Sequence, residues 1–255
     1  MKPLAELDPR GVDAVLMDLD DTLTTHGRLT ARAYAALEAL HAAGKRVVPV
    51  TGRSAGWCDH IARMWPVDGV VGENGAFYFF LADGRLRRRY HDDASTRTAK
   101  RERLGALVQR ILAAVPGSAV AADQPYRETD LAIDYAEDVP PLPLEAAERI
   151  ATLMRDAGLT ARVSSIHVNG WFGDYDKLAM TSHFFAERLG MDLARERQRA
   201  VFVGDSPNDA PMFGYFDRSV GVANVRRFAL KTPPQYVTRA EAGEGFEELA
   251  AHLLR

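Results

Sequence analysis

The sequence predicts an α/β protein with a parallel sheet, flanked by helices, and a second, smaller α/β unit inserted into it. Short β-branched runs alternate with helical patterns at both ends of the chain. The middle third has an alternation of strands and helices of its own. Three apolar runs end in polar residues, as strands do where an open α/β sheet binds its ligand. Together these patterns predict one discontinuous unit and one insertion.

Composition is that of a folded protein with a sizeable core. The chain has 255 residues, of which 47% are hydrophobic and 26% charged. Its net charge of −3 disfavours nucleic-acid binding. The single cysteine, Cys58, excludes an internal disulfide, and no apolar stretch has the length of a membrane span. We expect a cytoplasmic protein with no nucleic-acid or membrane partner. The sequence leaves the oligomeric state open.

The opening elements follow in regular order. Thr30 and Ser54 are suitable N-caps for two helices, and Asp83-Gly84 is a strong hairpin turn signal. Proline at position 49 argues mildly against a central strand. The predicted elements are strands at 12–17, 47–50, 67–71, 76–81 and 85–90, and helices at 31–43 and 55–65.

The pattern changes in the middle and then resumes from Trp171. The middle elements are helices at 96–114 and 144–157 and strands at 131–135 and 163–168. The closing elements are helices at 177–189 and 246–254 and strands at 200–203, 219–222 and 236–238. We therefore expect 1–84 and 171–255 to form a discontinuous catalytic core, and 85–170 to form an α/β cap domain that sets substrate specificity.

Acidic and hydroxyl side chains follow three of the predicted strands. They are Asp18, Asp20 and Asp21 after the first strand, Thr51 after the second, and Asp205 and Asp209 after the strand at 200–203. Parallel strands joined by crossover helices gather these ends along one edge. Carboxylates there repel each other by about 4 kcal/mol per pair at about 4 Å with an effective dielectric near 20. An all-oxygen ligand set favours Mg²⁺ as the compensating cation.

A metal, a hydroxyl and a lysine together suit phosphoryl transfer. Lys177 and the metal neutralise phosphoryl charge, and Thr51 donates to a phosphoryl oxygen. One aspartate can attack phosphorus, and a second can protonate the departing oxygen.

Four segments in this order resemble the motifs of the haloacid dehalogenase superfamily. They are DLDDTLT at 18–24, VTGR at 50–53, Lys177 and GDSPND at 204–209. The long insertion between the second and third motifs resembles the Cof-like branch, subclass IIB. The resemblance implies a Rossmann-like core with a parallel sheet and a mobile α/β cap.

The resemblance also implies roles for individual residues. Asp18 resembles the nucleophile and Asp20 the general acid/base. Lys177, the third catalytic residue, resembles the phosphate-binding pair of the family together with Thr51. The substrate and phosphate group would contact Thr51, Gly52, Arg53, Asn74 and Asn208. The Mg²⁺ ligands would come from Asp18, Asp20, Asp205 and Asp209, with Asp20 acting through its backbone carbonyl.

The resemblance favours a Mg²⁺-dependent phosphatase for a small phosphorylated metabolite, a sugar phosphate above all, acting through an aspartyl-phosphate. A phosphomutase would need the same residues, so it stays open. A phosphosugar-binding protein without activity is disfavoured, since binding alone does not require Asp20. In the cap, Arg127 is a candidate for a second anionic group. His167 is either a substrate contact or a hydrogen-bonded strand histidine.

Overall fold

The structure, a computed structural model, describes all residues from 1 to 255. Its strands are β1 Lys2–Pro3, β2 Ala14–Met17, β3 Arg46–Pro49, β4 Val70–Gly72, β5 Phe77–Ala82, β6 Arg85–Tyr90, β7 Ala119–Val120, β8 Leu131–Asp134, β9 Thr160–Val163, β10 His167–Trp171, β11 Ala200–Gly204, β12 Ser219–Gly221 and β13 Tyr236–Val237. Its α-helices are α1 Ala31–Ala42, α2 Ala55–Met64, α3 Ala94–Gly105, α4 Val108–Ala114, α5 Leu144–Asp156, α6 Lys177–Phe184, α7 Leu193–Glu196, α8 Ala210–Tyr215 and α9 Ala242–Leu253. No helix combines the length and the apolar character needed to cross a bilayer.

A six-stranded sheet in the order β1-β13-β12-β11-β2-β3 forms the first layer, and all of its strand pairs are parallel. Side chains of β2 alternate between the two faces of the sheet, and both faces are buried. Val15 and Met17 join the apolar cluster that includes Phe246 of α9, whereas Leu16 joins the one that includes Phe184 of α6. The α/β fold class predicted from the sequence is confirmed.

The proline in β3 fits its position. β3 lies at the end of the six-stranded sheet, and Pro49 is its last residue. Beyond it, an isolated parallel bridge joins Val50 to Val71, which connects this sheet to the three-stranded antiparallel sheet β4-β5-β6. Proline has no N–H to donate to a strand ladder, so it is tolerated mainly on strands at the edge of a sheet.

A four-stranded antiparallel sheet, β7-β8-β10-β9, lies in the inserted part of the chain. Its own apolar cluster includes Ile150 and Met154 of α5 and Ile133 of β8. A separate core is what an inserted domain requires. The proposed division places its first boundary at 84/85, which falls in the turn of the paired hairpin β5–β6. The division itself remains a prediction.

Two element predictions were wrong. The single strand expected at 163–168 is the junction of β9 and β10, which pair antiparallel. Ser164 makes this turn, because its Oγ accepts from the backbone N–H of His167 at 3.0 Å. The helix expected at 96–114 is interrupted between α3 and α4, where Gly105 ends α3. The spacing of apolar residues does not reveal a short break within a helix. Gly105 was the available indication, because glycine weakens a helix locally.

Candidate active site

The structure brings the ends of three neighbouring strands together. β2 lies between β11 and β3 in the sheet, so the residues after these strands share one edge. The N–H of Asp18 continues the sheet ladder by donating to Val203 O at 2.9 Å. Thr51 follows β3 and Asp205 follows β11. The convergence expected from the sequence is therefore present in the fold.

Three buried carboxylates form a compact cluster at this edge. Asp18, Asp205 and Asp209 each offer an oxygen, and these oxygens lie within 4.8 Å of one another. Burial raises the pKa of Asp18 to about 7, against the opposing attraction of Lys177. Burial, together with the charges of Asp18 and Asp209, also raises the pKa of Asp205. This excess of negative charge and the all-oxygen donor set fit a hard divalent cation.

Lys177 is the one cation inside this cluster. Its side chain is 2% exposed, and its Nζ lies 2.8 Å from an oxygen of Asp18 and 2.8 Å from an oxygen of Asp209. Burial lowers the pKa of the ammonium, but the two carboxylates outweigh it and raise the pKa above its ordinary value. Asp176 sets the start of α6 by accepting from the N–H of Ala179. The helix cap therefore fixes where the lysine enters the site.

Asp209 is fully engaged by the protein. Its second carboxylate oxygen accepts from the backbone N–H groups of Asp205, at 3.0 Å, and Ser206, at 3.3 Å. Asn208 is buried beside it, and its Oδ1 accepts from the hydroxyl of Ser206 at 2.9 Å. Asp209 consequently fixes the 204–209 loop and Lys177, which leaves Asp18 and Asp205 better placed to hold a metal.

Two further residues hold Asp205, and the sequence reasoning did not assign them. Thr22 Oγ1 donates to one oxygen at 3.3 Å, and Asn224 Nδ2 donates to the other at 3.2 Å. Asn224 also donates to the backbone carbonyl of Asp21 at 2.9 Å. Their positions in the sequence could have indicated this role, since Thr22 lies within the first acidic segment and Asn224 follows the strand β12.

The carboxylate of Asp20 lies outside the acidic cluster. The Arg53 Nε and Nη2 atoms donate to it at 2.9 and 2.7 Å, in a two-point contact that restricts its orientation. Arg53 is 8% exposed, so this pairing is shielded from solvent. Any role of Asp20 as a metal ligand would have to come from its backbone carbonyl.

The turn after β3 packs against the segment that carries Asn74, whose backbone N–H donates to Thr51 O at 3.0 Å. Thr51 is buried, and its Oγ1 accepts from the N–H of Arg53 at 3.0 Å. Asn74 Nδ2 would lie 3.1 Å from a Cβ at Gly52, so glycine allows the two segments to approach. Asn74 has the left-handed φ of 56°, which asparagine tolerates better than most residues. Both polar atoms of its 2% exposed side chain lack a partner within the protein.

The sequence matches a family model described as haloacid dehalogenase-like hydrolase over residues 15–98. In this part, the chain is similar to haloacid dehalogenase-like hydrolases. The family resemblance predicted from the four motifs is thereby confirmed. A phosphoglycolate phosphatase of Haloarcula marismortui is 28% identical over 239 residues, which are 93% of this chain and 95% of that protein. The comparisons support the expectation that the chain is an enzyme, a hydrolase of the phosphatase type.

Two solved structures show the same fold at low sequence identity. That of Thermoplasma acidophilum 0175 has a TM-score of 0.71 and 17% identity, covering 96% of this chain and 99% of that one. That of the sucrose-phosphatase from Synechocystis has a TM-score of 0.63 and 16% identity, covering 96% and 98%. The agreement extends over nearly the whole hydrolase, including the inserted segment.

Arg127 has a structural role in this hydrolase. Its guanidinium pairs with Asp123 at 2.9 Å and Asp130 at 3.1 Å, and it donates to the carbonyl of Gly52 at 2.8 Å. Its side chain is fully buried. The hypothesis that Arg127 receives a second anionic group of the substrate was wrong, because two carboxylates already neutralise it.

Proposed function

We propose that this hydrolase is a Mg²⁺-dependent phosphatase that cleaves a small phosphorylated metabolite, a sugar phosphate above all, through an aspartyl-phosphate on Asp18. The observation that carries the proposal is the buried contact of Lys177 with both Asp18 and Asp209, next to Asp205. A structural ion pair needs one carboxylate, whereas this site holds three. A divalent cation would offset the remaining negative charge and could also bind the oxygens of a phosphoryl group.

Asp18 is the nucleophile in this scheme. Its carboxylate oxygen attacks phosphorus, the P–O bond to the leaving group breaks, and the bond to Asp18 forms. Lys177 keeps the carboxylate in place and supplies positive charge to the phosphoryl oxygens. Asp18, Asp205 and the backbone carbonyl of Asp20 would hold Mg²⁺, and Asp209 would support these ligands. A bound ion would supply positive charge to the phosphoryl oxygens.

Asp20 is the proton carrier. It protonates the departing oxygen, then takes a proton from the water that attacks phosphorus and releases Asp18. Arg53 restricts the orientation of this carboxylate through the two-point contact. Thr51, Gly52, Asn74 and Asn208 would contact the phosphoryl group, as the resemblance implies. The unpartnered amide of Asn74 supports a hydrogen bond to substrate there.

The relatives support a phosphate monoester as the substrate class. One is named a phosphoglycolate phosphatase, and the sucrose-phosphatase was solved with sucrose and phosphate. A carboxylated and a neutral leaving group are both represented, so the names alone leave the leaving group open. The inserted segment, which we propose as the cap, would make that choice.

The test measures phosphate release from sugar phosphates, phosphoglycolate and nucleotides, with Mg²⁺ and again with a chelator. We expect turnover of at least one monoester that the chelator abolishes. Asp18→Asn should lower it more than about a thousandfold, since the nucleophile is lost. Asp83→Asn makes the same change in an exposed turn and should retain activity.

Two results would contradict the proposal. Undiminished turnover by Asp18→Asn would exclude Asp18 as the nucleophile. Activity that needs a bisphosphorylated sugar primer, with little phosphate release, would identify a phosphomutase instead.

A further inference from the structure

Glu137 reaches from the inserted segment into the catalytic site. Its Oε1 lies 2.6 Å from Arg53 Nη2, and its Oε2 lies 2.9 Å from His167 Nε2 in a poorly aligned contact. Arg53 therefore joins Glu137 to Asp20, the proposed proton carrier. No sequence motif pointed to Glu137, because it lies in an irregular turn after β8.

The turn that carries Glu137 is fixed by a buried carboxylate. Asp134, at the end of β8 and 1% exposed, accepts from the backbone N–H groups of Ala136, Glu137 and Asp138 at 2.8 to 2.9 Å. Three such bonds hold the turn in one conformation. The position of the Glu137 side chain is therefore determined by the fold of the inserted segment.

Arg53 and Glu137 together separate two cavities. The inner one, about 270 Å³, also contains Asp20 and Asp21 in its wall. The outer one, about 610 Å³, is bordered by Trp57 and other residues of both the core and the inserted segment. Asp20 lies two residues after Asp18 and contacts Arg53, so this pair lies beside the proposed proton carrier.

The walls of these cavities carry an excess of negative charge. The acidic residues are Asp20, Asp21, Glu137, Asp138 and Asp123, the last of which pairs with Arg127, and Arg53 is the only lysine or arginine in the walls. Asp20 and Glu137 already neutralise that guanidinium. Burial acts to raise the pKa of Glu137, but the contacts with His167 and Arg53 outweigh it and hold the pKa at about 2. The carboxylate is therefore ionised at neutral pH.

We propose that Glu137 is a specificity-determining residue that disfavours substrates with a carboxylate or second phosphate in the leaving group. It thereby directs the enzyme to phosphate esters of neutral polyhydroxy compounds. This inference rests on the proposed phosphatase function. A second anion would need the charge of Arg53 and would meet Glu137 beside it. Neutral hydroxyl groups can instead donate to the Glu137 carboxylate.

Aromatic side chains in the outer cavity agree with this assignment. Trp57 is 46% exposed and Tyr126 is 65% exposed, and both border the same space as Glu137. Their rings offer apolar surface with a polar edge, which suits a ligand of mixed apolar and hydroxyl character. A small carboxylate such as glycolate would use neither ring.

The experiment compares two ligands of similar size, phosphoglycolate and 2-hydroxyethyl phosphate, which differ in the charge of the leaving group. Dissociation constants are measured by calorimetry with Mg²⁺ in the Asp18→Asn background, so that turnover does not consume the ligand. We expect Glu137→Gln to improve the binding of phosphoglycolate relative to 2-hydroxyethyl phosphate at least about tenfold. The gain should shrink as salt is raised, because the effect is electrostatic.

Glu102→Gln is the matched control. Glu102 is an exposed glutamate on α3 without an ion pair, and its substitution should leave the ratio unchanged. Glu137→Ala provides a second variant and should move the ratio in the same direction. A merely structural role of Glu137 would weaken both ligands together and would not strengthen one.

Either of two results would overturn the inference. One is a ratio that stays within twofold of the parent protein in both Glu137 variants. The other is weaker phosphoglycolate binding in Glu137→Gln, which would mean that the residue helps to bind an anionic substrate. Because binding is measured without turnover, these results are distinct from failure of the phosphatase proposal, which would appear as no phosphate release by the unmodified protein.

Discussion

Asn74 is a buried side chain whose amide has no partner in the protein. Buried polar groups are normally hydrogen-bonded, and an unpaired one costs about 1–3 kcal/mol. Asn74 lies against Gly52, in the turn that precedes Arg53. A binding site explains an otherwise unfavourable residue, because a substrate oxygen can accept from the amide when it arrives.

Asn74→Gly is expected to separate binding from stability. Glycine adopts the φ of 56° readily, and no internal hydrogen bond is lost, so the free energy of unfolding should change by less than about 1 kcal/mol. The value of kcat/KM for the best monoester should fall at least about tenfold. Urea denaturation and steady-state kinetics measure the two quantities. Unchanged kinetics would show that Asn74 does not contact the substrate.

The sequence predicted which charged residues meet in the site, but it did not predict which ion pairs they form. Asp18, Asp205 and Lys177 were predicted to converge because each follows a strand or begins a helix at the same edge. The pairing of Asp20 with Arg53, and of Arg53 with Glu137, depends on side-chain directions across two parts of the chain. Neither spacing nor composition encodes those directions.

The loop between β7 and β8 connects the inserted segment to the turn that follows β3. Arg127 of this loop donates to the carbonyl of Gly52, and Thr129 donates to the buried carboxylate of Glu73 through its backbone N–H at 2.7 Å. Glu73 also accepts from the N–H of Ala55 at the start of α2 at 3.0 Å. These contacts fix the 127–129 loop of the inserted segment against the residues that follow β3 and β4.

Replacing Arg127 by methionine should destabilise this connection strongly. The change leaves the carboxylates of Asp123 and Asp130 without their buried cation, and breaking such a pair costs about 3–5 kcal/mol. We expect a loss of about 3 kcal/mol in the free energy of unfolding by urea denaturation. Arg110→Met, on an exposed position of α4, is the control and should change it by less than about 0.5 kcal/mol. A loss below about 1 kcal/mol for Arg127→Met would show that the network is not a structural anchor.

Helices and strands were predictable where the spacing of apolar residues followed a single pattern. The strands β2 and β11 are continuous apolar runs, and α1 begins at its predicted cap, Thr30. The prediction for 163–168 was wrong because this segment contains the end of β9, a turn and the start of β10, and Val163 pairs antiparallel with Val168. Local patterns cannot distinguish a strand from a hairpin when the turn lacks glycine or proline.

On the scale of the whole molecule, strand order creates the site. Residues that are far apart in the chain, such as Val15 and Val201, become neighbours because β11 and β3 pair with opposite sides of β2. This arrangement follows from right-handed crossovers in a parallel sheet, so the sequence could predict the convergence. How the inserted segment lies over the sheet depends on the contacts of Arg127, Glu73 and Glu137. Those contacts were not predictable from short motifs.

We propose that these remote segments assemble one phosphoryl-transfer site on Asp18. The most direct measurement is mass spectrometry of the acid-quenched protein after brief reaction with its best monoester and Mg²⁺. The account predicts one added phosphoryl group on the peptide that contains Asp18, and none in Asp18→Asn. A phosphoryl group on a different residue, together with turnover that survives Asp18→Asn, would contradict it.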